Sequence, residues 1–326
     1  MGNDKDYVVG VDIGGQTTKI GIVDRMGNIL AQTIINSIHD DNGVIYTEND
    51  SALFIDSLCN AINDISKNIG IENIVGIGIG APNGNYYKGT IAMAANLRWA
   101  KNKVVYLAKE VKKRTGISRV KVTNDANAAA IGEMTYGAAK GMKNFIEITL
   151  GTGVGSGIVI GGKLVYGHDG FAGELGHTCA IRDNGRQCNC GLTGCLETYT
   201  SAIGVARTAR EWLESTNEPS SLRQLSEITS KDVAIAAEKG DKMAKRIFEY
   251  TGKILGRSLA DFVAFSAPEA IIIFGGLARA GELLFKPVRE SLDHYLLGIW
   301  KGKVKVLPSA LKESDAAILG AASLAW

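Results

Sequence analysis

Two stretches of this chain carry one pattern, and the repeat limits the folds open to it. Residues 7–13 (YVVGVDI) are β-rich and almost continuously apolar, Gly14 and Gly15 turn the chain, and residues 18–24 (TKIGIVD) alternate. Met26-Gly27-Asn28 then leads into a third run at 29–35 (ILAQTII). Residues 145–153 (FIEITLGTG) again end a strand in glycines, 154–162 (VGSGIVIGG) form a second strand, and Gly162-Lys163 turns into 164–167 (LVYG). After the first triplet, Leu53, Phe54, Leu58, Ile62 and Ile65 predict a helix over 50–68 with Asn49 or Asp50 as N-cap. A strand at 74–80, a helix near 102–115 and a strand at 120–124 follow. The second triplet precedes helices at 202–214, 230–239 and 241–265, a strand at 270–276, a helix at 279–297, a short strand at 304–307 and a last helix near 314–325. Two such units predict an internally duplicated α/β fold with a ligand between the halves.

Composition narrows the partner. Gly makes up 40 of 326 residues, about 12% against a usual figure near 7%. Only 5 Pro accompany it and 45% of residues are hydrophobic, so linker, collagen-like and disordered classes are excluded. With 36 basic and 34 acidic residues the net charge is +2, too weak a field to attract nucleic acid or an anionic membrane. A small molecule is the expected partner. No run nears the roughly 18 apolar residues of a membrane helix, acids precede the first apolar stretch, and Asp6 stands where a myristoylation site at Gly2 needs Ser or Thr. The expected location is the cytoplasm.

Asp12-Ile-Gly14-Gly15-Gln16-Thr17-Thr18-Lys19 places a carboxylate at a strand end before a glycine pair. Such backbone lets N–H groups approach phosphate oxygens, Thr and Lys add donors, and Asp12 can hold magnesium through water. Gly151-Thr152-Gly153 offers a matching clamp in the second half, and Gly275-Gly276 follows the late strand. Neither a Walker A loop nor a dinucleotide fingerprint is present. The glycine excess is therefore expected as bare backbone facing phosphate and ligand, in the DIGG, IGIGAPNG, LGTGVGSG and FGG segments.

His177, Cys188, Cys190 and Cys195 supply one imidazole and three thiolates within a Gly-rich loop, a donor set suited to tetrahedral zinc. Four protein ligands leave no open position, so the expected role is to fix the loop, with the other His177 nitrogen available to a ligand. Glu174 and Glu197 bracket this knuckle. Cys179 is expected on an apolar face, with a substitute-ligand role as the alternative, and Cys59 in the core. Asn124-Asp125 opens an Ala-rich helix; Asp125 is a candidate general base, and either residue can cap the helix.

The segments DIGGQTTKIGIVD (12–24), NDANAAA (124–130), LGTGVGSGIV (150–159), GELGH (173–177) and CNCGLTGCLET (188–198) together resemble the ROK family of the sugar-kinase, hexokinase and actin-like ATPase superfamily, in its zinc-bearing, glucokinase-type branch. The resemblance implies two actin-like, ribonuclease H-like domains with a cleft between them that closes on ATP and a hexose, glucose foremost. It implies an N-terminal domain over 1–123, onto which a helix at about 312–326 packs back, and a C-terminal domain over 124–311 with a zinc knuckle at 177–195. Asp125 would take the proton of the sugar 6-hydroxyl. Asn83, Gly84, Asn96, Asn124, Glu174, His177 and Glu197 would join it in holding the sugar. Asp12, Gly14, Gly15, Gln16, Thr17 and Lys19 match the first phosphate motif, Gly151, Thr152 and Gly153 the second, and Gly275-Gly276 the adenosine motif. Implied cofactors are ATP, Mg2+ and Zn2+, in a homodimer or homotetramer.

Three positions depart from the family pattern. Gln16 stands where Thr usually follows the glycine pair, the loop often written GxPG reads Ala81-Pro82-Asn83-Gly84, and Arg98 replaces the Pro of NLPW. An N-acetylmannosamine or N-acetylglucosamine kinase is the alternative activity, and a non-catalytic sugar-responsive regulator the alternative from another class. The regulators carry an N-terminal helix-turn-helix, whereas the first strand here begins near Tyr7.

Overall fold

A computed structural model describes residues 6–326 apart from the side chains of Glu313 and Ser314; Gly2 lies outside the described residues. The first meander is β1 (Tyr7–Ile13), β2 (Thr17–Asp24) and β3 (Ile29–Asn36), followed by α1 (Ser51–Ser66) and β4 (Ile74–Gly80). Three short strands, β5 (Gly84–Asn85), β6 (Thr90–Ala92) and β7 (Val104–Val105), precede α2 (Leu107–Thr115), β8 (Val120–Thr123) and α3 (Asp125–Tyr136). The second meander is β9 (Phe145–Leu150), β10 (Val154–Ile160) and β11 (Lys163–Leu164). It leads to α4 (Glu197–Thr200), α5 (Ala202–Ser215), α6 (Ser230–Glu238), α7 (Lys242–Ser266), β12 (Ala270–Phe274), α8 (Glu282–Tyr295), β13 (Lys305–Pro308) and α9 (Glu313–Ser323).

The two large sheets have equivalent orders, β3-β2-β1-β4-β8 and β11-β10-β9-β12-β13. In each, antiparallel hairpin pairing gives way to parallel pairing at the centre, β1 with β4 and β9 with β12. This is the duplication that the sequence pattern predicts.

The chain divides into two compact units: residues up to Gly141 with 164–172 and 310–326, and residues 142–163 with 173–309. The division departs from the expected boundary at 123/124. Helix α3 belongs to the first unit because it meets α9 at backbone distance: a Cβ on Gly320 would stand 2.7 Å from the carbonyl oxygen of Ala128, and one on Gly132 would stand 2.8 Å from Gly320 Cα. Residues 164–172 also belong there, since Tyr166 stacks on Tyr86 at 4.2 Å and Asn85 Nδ2 donates to the Asp169 carbonyl at 2.6 Å. That stack ends the strand expected over 164–167 after Leu164.

In the first unit the alternation of β1 sends its side chains to two cores. Val9, Val11 and Ile13 share one with Phe54, Leu58 and Ile62 of α1 and with Leu107 and Val111 of α2. Val8 shares the other with Ile318, Leu319 and Ala322 of α9. On that second face a Cβ at Gly10 or Gly78 would collide with the carbonyl oxygens of Ile318 and Ala321. These two glycines, expected to serve a ligand in the case of the IGIGAPNG strand, instead let α9 lie directly on β1 and β4. In the second unit β9 and β12 bury Ile146, Ile148, Leu150, Ile271 and Ile273 in one core with α4 through α8. Gly252 and Gly256 bring α7 against Pro287 and Val288 of α8 in the same way.

Gly78→Ala should therefore destabilise the protein by about 3 kcal/mol, the upper range for overpacking, whereas Gly298→Ala, with no atom within 4 Å of the added carbon, should stay within about 0.5 kcal/mol. Urea unfolding of both variants checks this; equal stability would contradict the close-packing role.

Candidate active site

In the first unit the parallel strands β1, β4 and β8 deliver Gly14-Gly15, Ala81-Pro82-Asn83 and Asn124-Asp125 from their carboxyl ends, the edge at which α/β sheets bind ligands. Asp12 pairs with Lys19 across the β1–β2 ladder, so both side chains occupy the α9 face. Alternation along β2 puts Thr17 on that face with Lys19, while Thr18 is buried and its Oγ1 meets Ser37 Oγ at 2.8 Å. Gln16 stays in the turn with its carbonyl accepting from Ser37 N at 2.9 Å.

Asn124 is the N-cap of α3, its Oδ1 accepting from Ala126 N at 2.8 Å; Asp125 is the first helical residue and its Oδ1 accepts from the same N–H at 2.9 Å. Asp125 is open to solvent, yet crowding by protein on its other sides disfavours the charged form and raises its pKa. Burial pushes the Asp12 carboxyl up to about 6, the charge of Asp125 adds to the rise, and Lys19 opposes it. Two neighbouring carboxylates, both costly to ionise, form a setting that a divalent cation relieves. The donor set fits Mg2+, which takes oxygen ligands and keeps several waters.

The remaining candidates of this unit separate. Asn96 is exposed, and its carbonyl oxygen would lie 3.1 Å from a Cβ on Gly15, so the first glycine turn and the ANLRW loop abut. Trp99 anchors that loop, stacked on Phe54 at 4.1 Å, and Arg98 occupies an exposed position without disturbing it. Asn83 adopts φ +54° and spends its Nδ2 on the carbonyls of Ala92 and Met93, at 3.0 and 3.2 Å, leaving Oδ1 and its backbone. Gly84 is buried, and a Cβ there would collide with the Thr123 carbonyl, which assigns it to packing beside β8.

In the second unit Gly151-Thr152-Gly153 closes the β9–β10 hairpin and Gly275-Gly276 follows β12, so both lie at the carboxyl ends of neighbouring parallel strands. A Cβ at Gly151 or Gly276 would meet no atom within 4 Å, and Thr152 and Gly276 are exposed. Gly153 and Gly275 have internal reasons to be glycine: a Cβ would strike the Glu197 carboxylate or the Leu150 backbone, and Gly275 has φ +102°. Glu197 Oε2 accepts from Val154 N at 2.9 Å, which ties the start of α4 to the hairpin. Glu174 is exposed at the head of the turn that carries His177.

The donor atoms of His177, Cys188, Cys190 and Cys195 all lie within 4.8 Å of one another. Cys190 Sγ and Cys195 Sγ are 3.6 Å apart, and His177 Nδ1 is 3.8 Å from Cys188 Sγ. Tetrahedral zinc with Zn–S near 2.3 Å sets its thiolates about 3.8 Å apart, whereas a disulfide needs about 2.05 Å. The set fits zinc, with Nδ1 toward the thiols and Nε2 left over. Cys179 is exposed rather than on an apolar face and lies outside the set, its Sγ donating to the Ile181 carbonyl at 3.5 Å. Cys59 is buried in α1. Sequence reasoning misses Arg186, a buried cation inside the knuckle; its only sequence signal is a charge among turn residues.

The chain matches the ROK family over residues 8–326 and belongs to it. It is 37% identical over 295 residues to a glucokinase of Halalkalibacterium halodurans, covering 89% of this chain and 86% of that protein. It is 36% identical over 322 residues to a glucokinase of Thermotoga maritima, covering 97% and 96%. Among solved structures it is similar to a ROK family glucokinase from Streptomyces griseus in complex with glucose and AMPPNP, with a TM-score of 0.76, 34% identity and 98% of each chain covered. No helix among the described residues is long and apolar enough to cross a membrane.

A raised carboxyl pKa costs stability once pH exceeds the unfolded value, and the cost is complete above the folded one. Asp12→Asn should thus stabilise the metal-free protein by up to about 3 kcal/mol at pH 8, with the gain shrinking below pH 6 and gone below about pH 4. Urea titrations across this range check it; a pH-independent difference would contradict the geometry.

Proposed function

We propose that this protein is an ATP-dependent glucokinase that transfers the γ-phosphoryl group of ATP to the 6-hydroxyl of glucose. The observation that carries the reading is Asp125: an accessible carboxylate of raised pKa at the N-terminus of α3, beside Asp12, in a chain 36–37% identical to glucokinases.

By motif, Gly14, Gly15, Thr17 and Lys19 would serve the phosphates, together with Gly151, Thr152 and Gly153, and Gly275 and Gly276 would serve the adenosine. Sharing a face with Asp12 and Lys19 favours Thr17 over Gln16 at the γ-phosphate. Asp12 would hold Mg2+ through water, and Mg2+ when bound supplies charge neutralisation to the phosphates. Asp125 accepts the O6 proton as O6 bonds to the γ-phosphorus; the bond from that phosphorus to the bridging oxygen breaks, and ADP carries away the electron pair. A raised pKa suits Asp125 to that transfer near neutral pH. Asn96, Asn124, Glu174, His177 Nε2 and Glu197 would orient the sugar, with Asn83 limited to Oδ1 and backbone contacts. Zn2+ held by His177, Cys188, Cys190 and Cys195 would fix the loop bearing His177, and no reaction step passes through it. The net charge of +2 and the absence of a membrane-spanning helix among the described residues support small-molecule partners alone. The reading includes a cytoplasmic homodimer or homotetramer.

The test is ADP release over glucose, other hexoses, N-acetylmannosamine and N-acetylglucosamine, for wild type and Asp125→Asn. The wild type should favour glucose, and the variant should keep glucose affinity while losing about 10²–10⁴-fold in kcat. A variant near wild-type kcat would remove Asp125 as the base, and an N-acetylhexosamine preference would replace the substrate.

A further inference from the structure

Arg186 lies two residues before Cys188, is 9% exposed, and sends its guanidinium out of the knuckle into the helices beyond it. Nη1 donates to the Thr198 carbonyl at 2.8 Å and to the Gly204 carbonyl at 3.4 Å. Nη2 donates to Thr208 Oγ1 at 2.9 Å and to Glu211, and Nε reaches Glu211 Oε2 at 3.1 Å. Its own backbone N–H donates to Tyr199 Oη at 2.8 Å, and the guanidinium lies 4.6 Å over the Tyr199 ring. Arg207 completes the staple, donating to Glu211 Oε1 at 2.8 Å and to the Gln187 carbonyl at 3.3 Å.

Helix α4 is four residues long and cannot hold its own orientation. It begins at Glu197, and Thr198 and Tyr199, the next two residues, are the ones that Arg186 grips. The metal ligands hold the knuckle to His177 from one side, and Arg186 holds it to Thr198 and Tyr199, the two residues that follow Glu197, from the other.

We propose that Arg186 is a positioning residue for sugar recognition: by locking the knuckle onto α4 and α5 it fixes His177 and Glu197 together, and so sets sugar affinity rather than the rate of phosphoryl transfer. The inference rests on the glucokinase reading. Asp12 and Asp125 lie on other elements, so their chemistry is left intact. Lysine keeps the charge but loses the planar fork that serves Thr198, Thr208 and Glu211 at once.

Arg186→Lys should raise the glucose KM about ten-fold, the scale of losing one hydrogen bond to a charged group, while kcat and the ATP KM stay within about two-fold. The purified variant should still bind one zinc per chain but surrender it faster to a colorimetric chelator. An unchanged glucose KM, or a parallel loss in kcat and both KM values, overturns the proposal. If Arg186→Lys does not fold, Glu211→Gln replaces it, with a glucose KM rise of several-fold expected from the lost ion-paired hydrogen bonds and an unchanged value overturning it. A wild type that phosphorylates no hexose defeats the functional reading alone; zinc release then decides Arg186, with an unchanged rate counting against it.

Discussion

Two carboxylates at the ends of parallel strands are the constraint on which the rest of the first unit depends. Asp12 rises to about 6 because it is buried and because Asp125 stands near it. Such a pair costs folding energy when ionised, a cost that a bound cation or proton offsets. The surrounding architecture maintains it: β1 and β8 flank β4 in the sheet, β2 supplies Lys19 opposite Asp12, and α3 carries Asp125 on its first residue. Bare backbone makes this possible, since α9 reaches the sheet through Gly10 and Gly78 and reaches α3 through Gly132 and Gly320. A single methyl group in that contact would push α9 away from the strands that place Asp12.

The second unit solves a different problem, that of giving a Gly-rich loop one conformation. Its thiols and imidazole converge on a space of zinc dimensions, and a nearly buried arginine fastens the other end of the loop to α4 and α5. Glu197 connects this arrangement to the Gly151–Gly153 hairpin through Val154 N, so the loop that would meet phosphate and the loop that would meet sugar share a hydrogen bond.

Much of this is legible in the chain. The repeated strand-glycine-strand pattern points to both sheets, because period-two alternation and glycine turns are local signals. The four metal ligands and the Asn124-Asp125 junction are equally local. What stays hidden depends on partners distant in sequence. Gly78 and Gly84 look like ligand-facing backbone until Ala321 and Thr123 are seen against them. Tyr166 looks like a strand residue until Tyr86 draws it off the sheet, and Asn83 looks free until its amide is found spent on Ala92 and Met93. Arg186 has no periodic or motif signal, since its five partners lie 12 to 25 residues away.

The central claim is that this site moves a phosphoryl group from ATP to one particular sugar oxygen. Its most direct test is phosphorus and proton magnetic resonance of the product formed from glucose, ATP and Mg2+. The account predicts phosphorus coupled to the two C6 protons, with one ADP formed for each sugar phosphate. Coupling to a ring-carbon proton, or inorganic phosphate released at the same rate with and without glucose, would contradict it.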